Sequence, residues 1–313
     1  MFQKIAFIFP GQGSQYPGMG KDFVESFPLA REIFEEADDL LRRNLSKIIL
    51  EGPESTLTET KHSQVAIYVT SFAILRVVQQ EYPTLNPKIC AGLSLGEYTA
   101  ATAAQKISFA EGLQLVQARG EFMNDACEKT AGTMAVVLGL DAQTVEKIVK
   151  DLHLTQDLWV ANFNCPGQVV LSGTLKGIEA GTAAVKAQGA KRVLPLQVHG
   201  AFHSGLMSEA ESRLAEVVRR ADIHESPIDL VMNVTGMNVL NVAEIRENLI
   251  KQVTQSVRWQ QGIESIQKQG CDLFIELGCG KTLAGFNKRI GVTAPTLSIE
   301  ALADLNALAE IFR

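Results

Sequence analysis

Pro87-Lys88-Ile89-Cys90-Ala91-Gly92-Leu93-Ser94-Leu95-Gly96-Glu97-Tyr98 is the stretch whose reading decides the fold. Residues 87–92 read as a short buried strand, and the alanine-rich run 98–104 that follows is a good helix former. Between them lies Gly92-Leu93-Ser94-Leu95-Gly96, the G-x-S-x-G pattern of a nucleophile elbow. A serine turned sharply out of a strand drives the residues two positions either side into collision, and glycine removes that collision. The helix beyond presents its first amides, so the Leu95 N–H is placed to donate to a developing oxyanion. The string alone is a weak signal. A strand before it and a helix after it turn it into an expectation of catalysis.

Upstream, the apolar run 4–9 is halted by Pro10-Gly11-Gln12-Gly13 and reads as another buried parallel strand. Helical patterns cover 28–41 and 64–82. The rhythm changes in 132–198. A strand at 133–140 and a helix at 141–152 precede strands at 158–163 and 168–172 around the Asn164-Cys165-Pro166-Gly167 turn. A helix at 176–188 and a strand at 192–198 complete the β-α-β-β-α-β, ferredoxin-like order. A helix at 207–220, a strand at 228–233 and helices at 242–255 and 260–269 come next, with 272–277 as the last core strand. The expectation is an α/β protein with an α/β-hydrolase-like large domain, built on a parallel sheet from 1–128 and 199–313. A small ferredoxin-like domain, 129–198, is inserted in it.

Composition narrows the function. With 313 residues, 46% of them hydrophobic and 20% charged, the chain is an ordinary globular protein with room for two domains. A net charge of -6 gives no overall attraction to nucleic acid or to an anionic membrane. The N-terminal apolar run is too short for a signal peptide, and no stretch approaches the roughly 20 apolar residues of a membrane helix. Five scattered cysteines, none in a Cys-x-x-Cys pair, suggest reduced thiols and a cytoplasmic protein. No metal site is expected: His199 and His203 are four apart, but Gly200 follows His199 where a zincin needs glutamate. Gly278-Cys279-Gly280-Lys281-Thr282 fails as a phosphate loop because Ile275 stands where its first glycine is required.

A serine nucleophile needs a base. His203 sits in Gly200-Ala201-Phe202-His203-Ser204, after the last strand of the inserted segment, and His199 shares that loop. Spacing does not choose between them. His62 and His224 read as surface residues and His153 as a helix end. Arg119, late in an amphipathic helix, reads by itself as a solvated arginine.

Taken together, several ordered motifs resemble the bacterial malonyl-CoA:acyl carrier protein transacylases, and more broadly the acyltransferase domains of fatty acid and polyketide synthases. They are Pro10-Gly11-Gln12-Gly13-Ser14-Gln15, Gly92 to Tyr98, Arg119-Gly120, Gly200-Ala201-Phe202-His203-Ser204, Asn233-Val234-Thr235-Gly236 and Glu276-Leu277-Gly278. The resemblance implies that Ser94 takes a malonyl group as an ester, that His203 rather than His199 is the base, and that Arg119 clamps the free malonyl carboxylate. It implies that the backbone N–H groups of Gln12 and Leu95 form the oxyanion hole. The Gln252 carbonyl would orient the histidine, so no acidic triad member is expected. Asn162, in an Ala-Asn-x-Asn motif, would approach from the small domain, and Phe202 would fill space that a branched acyl group needs. Two departures stand out: Leu93 replaces a histidine before the nucleophile, and Gly205 replaces a proline after His203-Ser204, which should loosen that loop.

The implied partners are malonyl-CoA and acyl carrier protein, with coenzyme A entering only as a thioester substrate, no other cofactor, and a monomer as the working form. Lys191, Arg192, Lys281, Lys288 and Arg289 are candidates for docking an acidic carrier. Two rivals use the same residues: a serine thioesterase, and a scaffold that keeps the fold without the chemistry.

Overall fold

The computed structural model describes residues 2–198 and 200–312. His199, the second candidate base, lies outside the described residues. Short apolar runs bounded by glycine and proline become central strands. β1 (Ile5–Phe9) and β2 (Ile89–Gly92) are buried along their whole length. β3 (Thr133–Leu138), β4 (Leu158–Cys165), β5 (Gln168–Gly173) and β6 (Arg192–Pro195) follow, then β7 (Asp229–Met232), β8 (Met237–Asn238), β9 (Leu273–Leu277) and β10 (Thr296–Ile299).

Two sheets result. The larger has the order β10-β9-β1-β2-β7-β8, parallel except for the β7–β8 pair. The smaller, antiparallel throughout, has the order β4-β5-β3-β6, and its strands all fall between Thr133 and Pro195. Helices Ala142–Asp151 and Leu175–Ala187 connect it in the ferredoxin-like order, capped by Asp141 and Thr174 side chains that accept from Thr144 N–H and Gly177 N–H. A helix that is buried at every residue, Gly96–Ala103, packs behind the elbow.

The topology gathers one set of strand ends. β1, β2 and β7 run parallel and adjacent, so Pro10 to Gln12, Leu93 to Leu95 and Asn233 emerge side by side at their carboxyl ends. In open α/β sheets this is where ligands bind. The smaller sheet is stitched to that edge through β4. Val257 N–H donates to the Ala161 carbonyl at 2.8 Å and Phe163 N–H to the Val257 carbonyl at 2.9 Å.

Two expected elements change and one goes unread. The core strand expected at 272–277 forms as β9, and beyond it lies the unexpected edge strand β10, whose four residues are too short a run for their alternation to stand out. The helix expected over 242–255 ends at Lys251, because the chain must extend by Val257 to pair with β4. The strand expected over 192–198 stops at Pro195, after which the backbone turns toward the site.

Candidate active site

The elbow's glycines are required by contact. A Cβ on Gly92 would meet the Gly96 carbonyl carbon at 1.9 Å, and one on Gly96 would meet the Phe9 carbonyl oxygen at 2.2 Å. Side chains there would separate the helix from both central strands. Ser94 itself has φ 51°, a left-handed conformation that costs a non-glycine residue about 1 kcal/mol or more. His203, the only other residue of the dyad, sits at φ 56°.

Ser94 Oγ lies 2.8 Å from His203 Nε2, and His203 Nδ1 lies 2.7 Å from the Gln252 carbonyl. A carbonyl only accepts, so Nδ1 carries the proton and Nε2 offers its lone pair to the serine hydroxyl. Burial drives the His203 pKa down to about 4, Arg119 adds to the drop, and the carbonyls of Gln252 and Gln255 push back. The ring is therefore neutral, and ready as a base, across the physiological range. The early end of the helix at Lys251 has a use here. Continued through 255, the helix would spend the Gln252 carbonyl on the N–H four residues on.

Arg119 is 1% exposed, not solvated as its helix pattern suggests. Its helix, Phe109–Lys129, passes beneath the elbow. Nη2 donates to Ser94 Oγ at 3.0 Å and to Gln252 Oε1 at 2.8 Å, while Nη1 donates to Gln64 Oε1 at 2.7 Å. All three partners are neutral, and its Nε is buried without a partner among the described residues. Burial lowers its pKa from the usual guanidinium value, with Tyr98 and Glu97 opposing.

Gln12 is half-buried beside the elbow, its side chain bonded to Thr60 and Gln64 at 3.3 Å each. Asn162, from β4, and Phe202, ahead of the histidine, both line the cleft with Ser94, Arg119 and His203. Leu95, buried, precedes the first turn of the elbow helix. Each site residue expected from the sequence thus comes to one cleft of about 260 Å³ or to its immediate backing. No group of three or more His, Cys, Asp or Glu side chains among the described residues is placed to hold a metal ion. His62 departs from its surface assignment: it is half-buried, with Nδ1 2.9 Å from Arg43. His224 is exposed as expected.

Three residues of this assembly went unassigned in the sequence. Gln64 braces Arg119. Glu97, wholly buried, accepts from Asn233 N–H at 2.5 Å and from Gln252 Nε2 at 2.8 Å. Asn233 bridges the elbow, accepting from Ser94 N–H at 2.7 Å and donating to the Gly92 carbonyl at 2.7 Å. A signal existed for Glu97: it is the single charged residue in an otherwise neutral helix, Gly96–Ala103.

The family described as acyl transferase domain matches residues 6–288. The chain is 42% identical over 300 residues to the malonyl CoA-acyl carrier protein transacylase of Bacillus subtilis (strain 168), covering 95% of this chain and 93% of that one. It is 38% identical over 306 residues to the protein of that name from Escherichia coli (strain K12), covering 98% of each. Among solved structures, a malonyl-transacylase in complex with its type II PKS acyl-carrier protein superposes with a TM-score of 0.94 at 36% identity, covering 98% of this chain and 99% of that one. An acyl carrier protein S-malonyltransferase from Vibrio cholerae does so with a TM-score of 0.93 at 35% identity, covering 98% and 100%. The elbow, its histidine and these matches agree, and the chain belongs to the acyl transferase domain family.

Proposed function

We propose that this enzyme moves a malonyl group from coenzyme A to the phosphopantetheine thiol of acyl carrier protein through an ester on Ser94. The observation that carries the reading is Arg119, a buried cation 3.0 Å from the nucleophile whose hydrogen-bond partners among the described residues are all neutral. Such a charge is costly until an anion meets it, and a planar guanidinium fork suits a carboxylate. A neutral acyl chain offers nothing in return. The malonyl group brings its free carboxylate to this point while its thioester carbonyl lies over Ser94.

The chemistry runs in two balanced steps. Ser94 Oγ attacks the thioester carbonyl as His203 Nε2 takes its proton. The carbon–oxygen bond forms, the carbon–sulfur bond breaks, and the histidine returns the proton to the departing coenzyme A thiol. In the second step the carrier's thiol gives its proton to His203 and attacks the ester, and Ser94 recovers its hydroxyl. Gln12 and Leu95 N–H groups hold the oxyanion of each tetrahedral intermediate; one such donor contributes about 3–4 kcal/mol in enzymes of this type. The Gln252 carbonyl keeps the imidazole in its working tautomer. Thioester exchange needs no redox partner, so the coenzyme A thioester is substrate and no further cofactor enters.

Residues 129–198 act as an inserted domain that covers the catalytic unit of 1–128 and 199–313. Apolar side chains from it, Met134, Val136, Val170, Leu196 and Val198, line the cleft and keep water from the ester. An acidic carrier docks near Lys191, Arg192 and Lys288. Lys281 and Arg289 are weaker candidates, since each already has a partner, Asp304 and Gln168. The reaction belongs in the cytoplasm.

Incubation with malonyl-CoA and phosphopantetheinylated acyl carrier protein tests the reading. Malonyl carrier protein is the expected product, with acetyl-CoA a poor donor. Release of free malonate in place of transfer would make the chain a thioesterase, and no turnover would make it a scaffold.

A further inference from the structure

Ser94 and His203 come from distant parts of the chain, and something must hold them in register. Ser94 is twisted to φ 51°, which takes its own N–H and carbonyl out of the strand ladder. Side chains meet them. The Asn233 carboxamide spans the bend, taking the Ser94 N–H on its oxygen and giving its own N–H to the Gly92 carbonyl. The Ser94 carbonyl accepts from Gln252 Nε2 at 2.8 Å and from Glu97 N–H at 3.1 Å.

Glu97 ties these supports together. One carboxyl oxygen holds the Asn233 main chain at the end of β7, and the other holds the Gln252 side chain. Gln252 in turn orients His203 through its own carbonyl. A single buried carboxyl thus links the elbow helix, β7 and the segment that aligns the base. Both oxygens face N–H donors. Burial raises the Glu97 pKa to about 8 even though the Asn233 N–H, Arg119 and the Gln252 side chain all work against the rise.

We propose that Glu97 and Asn233 are positioning residues that set the distance between the nucleophile and its base without touching the reacting atoms. The proposal rests on Ser94 and His203 acting as described above. It is distinct from that reading: loss of either brace should slow acylation while Arg119 keeps its bond to Gln64 and the cleft stays in place.

The test uses the full-length enzyme with Asn233→Ala, Glu97→Ala and Glu97→Gln. Competent sites are counted by the fraction of protein that takes up one malonyl group at long times. Rates per competent site are then read by rapid quench. Displacement of reacting groups by about 1 Å costs up to about 100-fold. Asn233→Ala and Glu97→Ala should therefore lower kcat about 10- to 100-fold, with KM for malonyl-CoA within about twofold. Glu97→Gln keeps one acceptor oxygen and should recover part of the loss. Labelling of Ser94 by a neutral fluorophosphonate should slow in parallel, since that probe does not use Arg119. If Glu97→Ala fails to fold, Asn233→Ala and Glu97→Gln decide. A kcat per competent site within twofold of wild type, or a loss confined to KM, would overturn the proposal. Absence of malonyl uptake by the wild-type control would instead overturn the proposed function.

Discussion

Ser94 and His203 share a left-handed backbone but are held in opposite ways. At the elbow, the Ser94 N–H and carbonyl are both hydrogen-bonded by buried side chains, and a Cβ added to Gly92 or Gly96 would come within 2.5 Å of neighbouring backbone. In the histidine loop the anchor is the ring, one Nδ1–H to one carbonyl, with Ser204 Oγ bonding Ala201 O at 2.6 Å as the local brace. Gly205 does not simply loosen this loop. It opens a short turn, Gly205–Met207, and lets the Trp159 indole lie against it, where an added Cβ would meet Trp159 Cζ2 at 2.7 Å. The contrast teaches that Ser94 is fixed through its backbone and His203 through its side chain. Strain is tolerated at each because neighbours over-determine it.

Breaking the base should have the largest effect. General-base catalysis supplies about 10²–10⁴-fold, so His203→Ala should slow Ser94 malonylation about 1,000-fold in rapid-quench assays. Next comes the clamp. Arg119→Ala removes charged hydrogen bonds worth roughly 3 kcal/mol, and kcat/KM for malonyl-CoA should fall about 100-fold. Relative use of acetyl-CoA should rise; an unchanged acyl preference would refute the clamp.

The pH profile sharpens the comparison from the side of the ring. As the proposed base, His203 works when neutral, and it is neutral above its pKa, which burial and Arg119 lower to about 4. Acylation should stay flat as pH falls to about 5.5 and drop by half only near pH 4. An imidazole at the ordinary value of about 6.5 would already have lost about tenfold at pH 5.5. The smallest effect is expected at Gly205→Ala. Overpacking against Trp159 should cost about 1–2 kcal/mol of stability and reduce kcat only a few-fold, measured by thermal melts and steady-state rates.

The elbow, the ferredoxin-like order and the buried central strands were legible because each rests on local chemistry. Apolar runs ended by Gly or Pro mark strands, and glycines two residues from a serine mark a close approach. Legibility failed where a residue's surroundings come from far along the chain. Arg119 has the pattern of a solvated helix face, yet Gln64 and Gln252, 55 and 133 residues away, enclose it. Gln252 looked like part of a helix, while the bond from its carbonyl to His203 depends on the helix stopping one residue earlier. The choice of His203 over His199 came from family resemblance, since spacing alone left both open. β10 escaped notice because an edge strand of four residues, three of them half-buried, is too short a run for its alternation to be read.

Intact mass of the purified enzyme after brief exposure to malonyl-CoA tests the central claim most directly. One malonyl group should appear on the wild-type chain, map to Ser94, vanish in Ser94→Ala and leave when the carrier's thiol is added. A wild-type chain that never gains that mass, or a Ser94→Ala chain that gains it equally, would contradict the account.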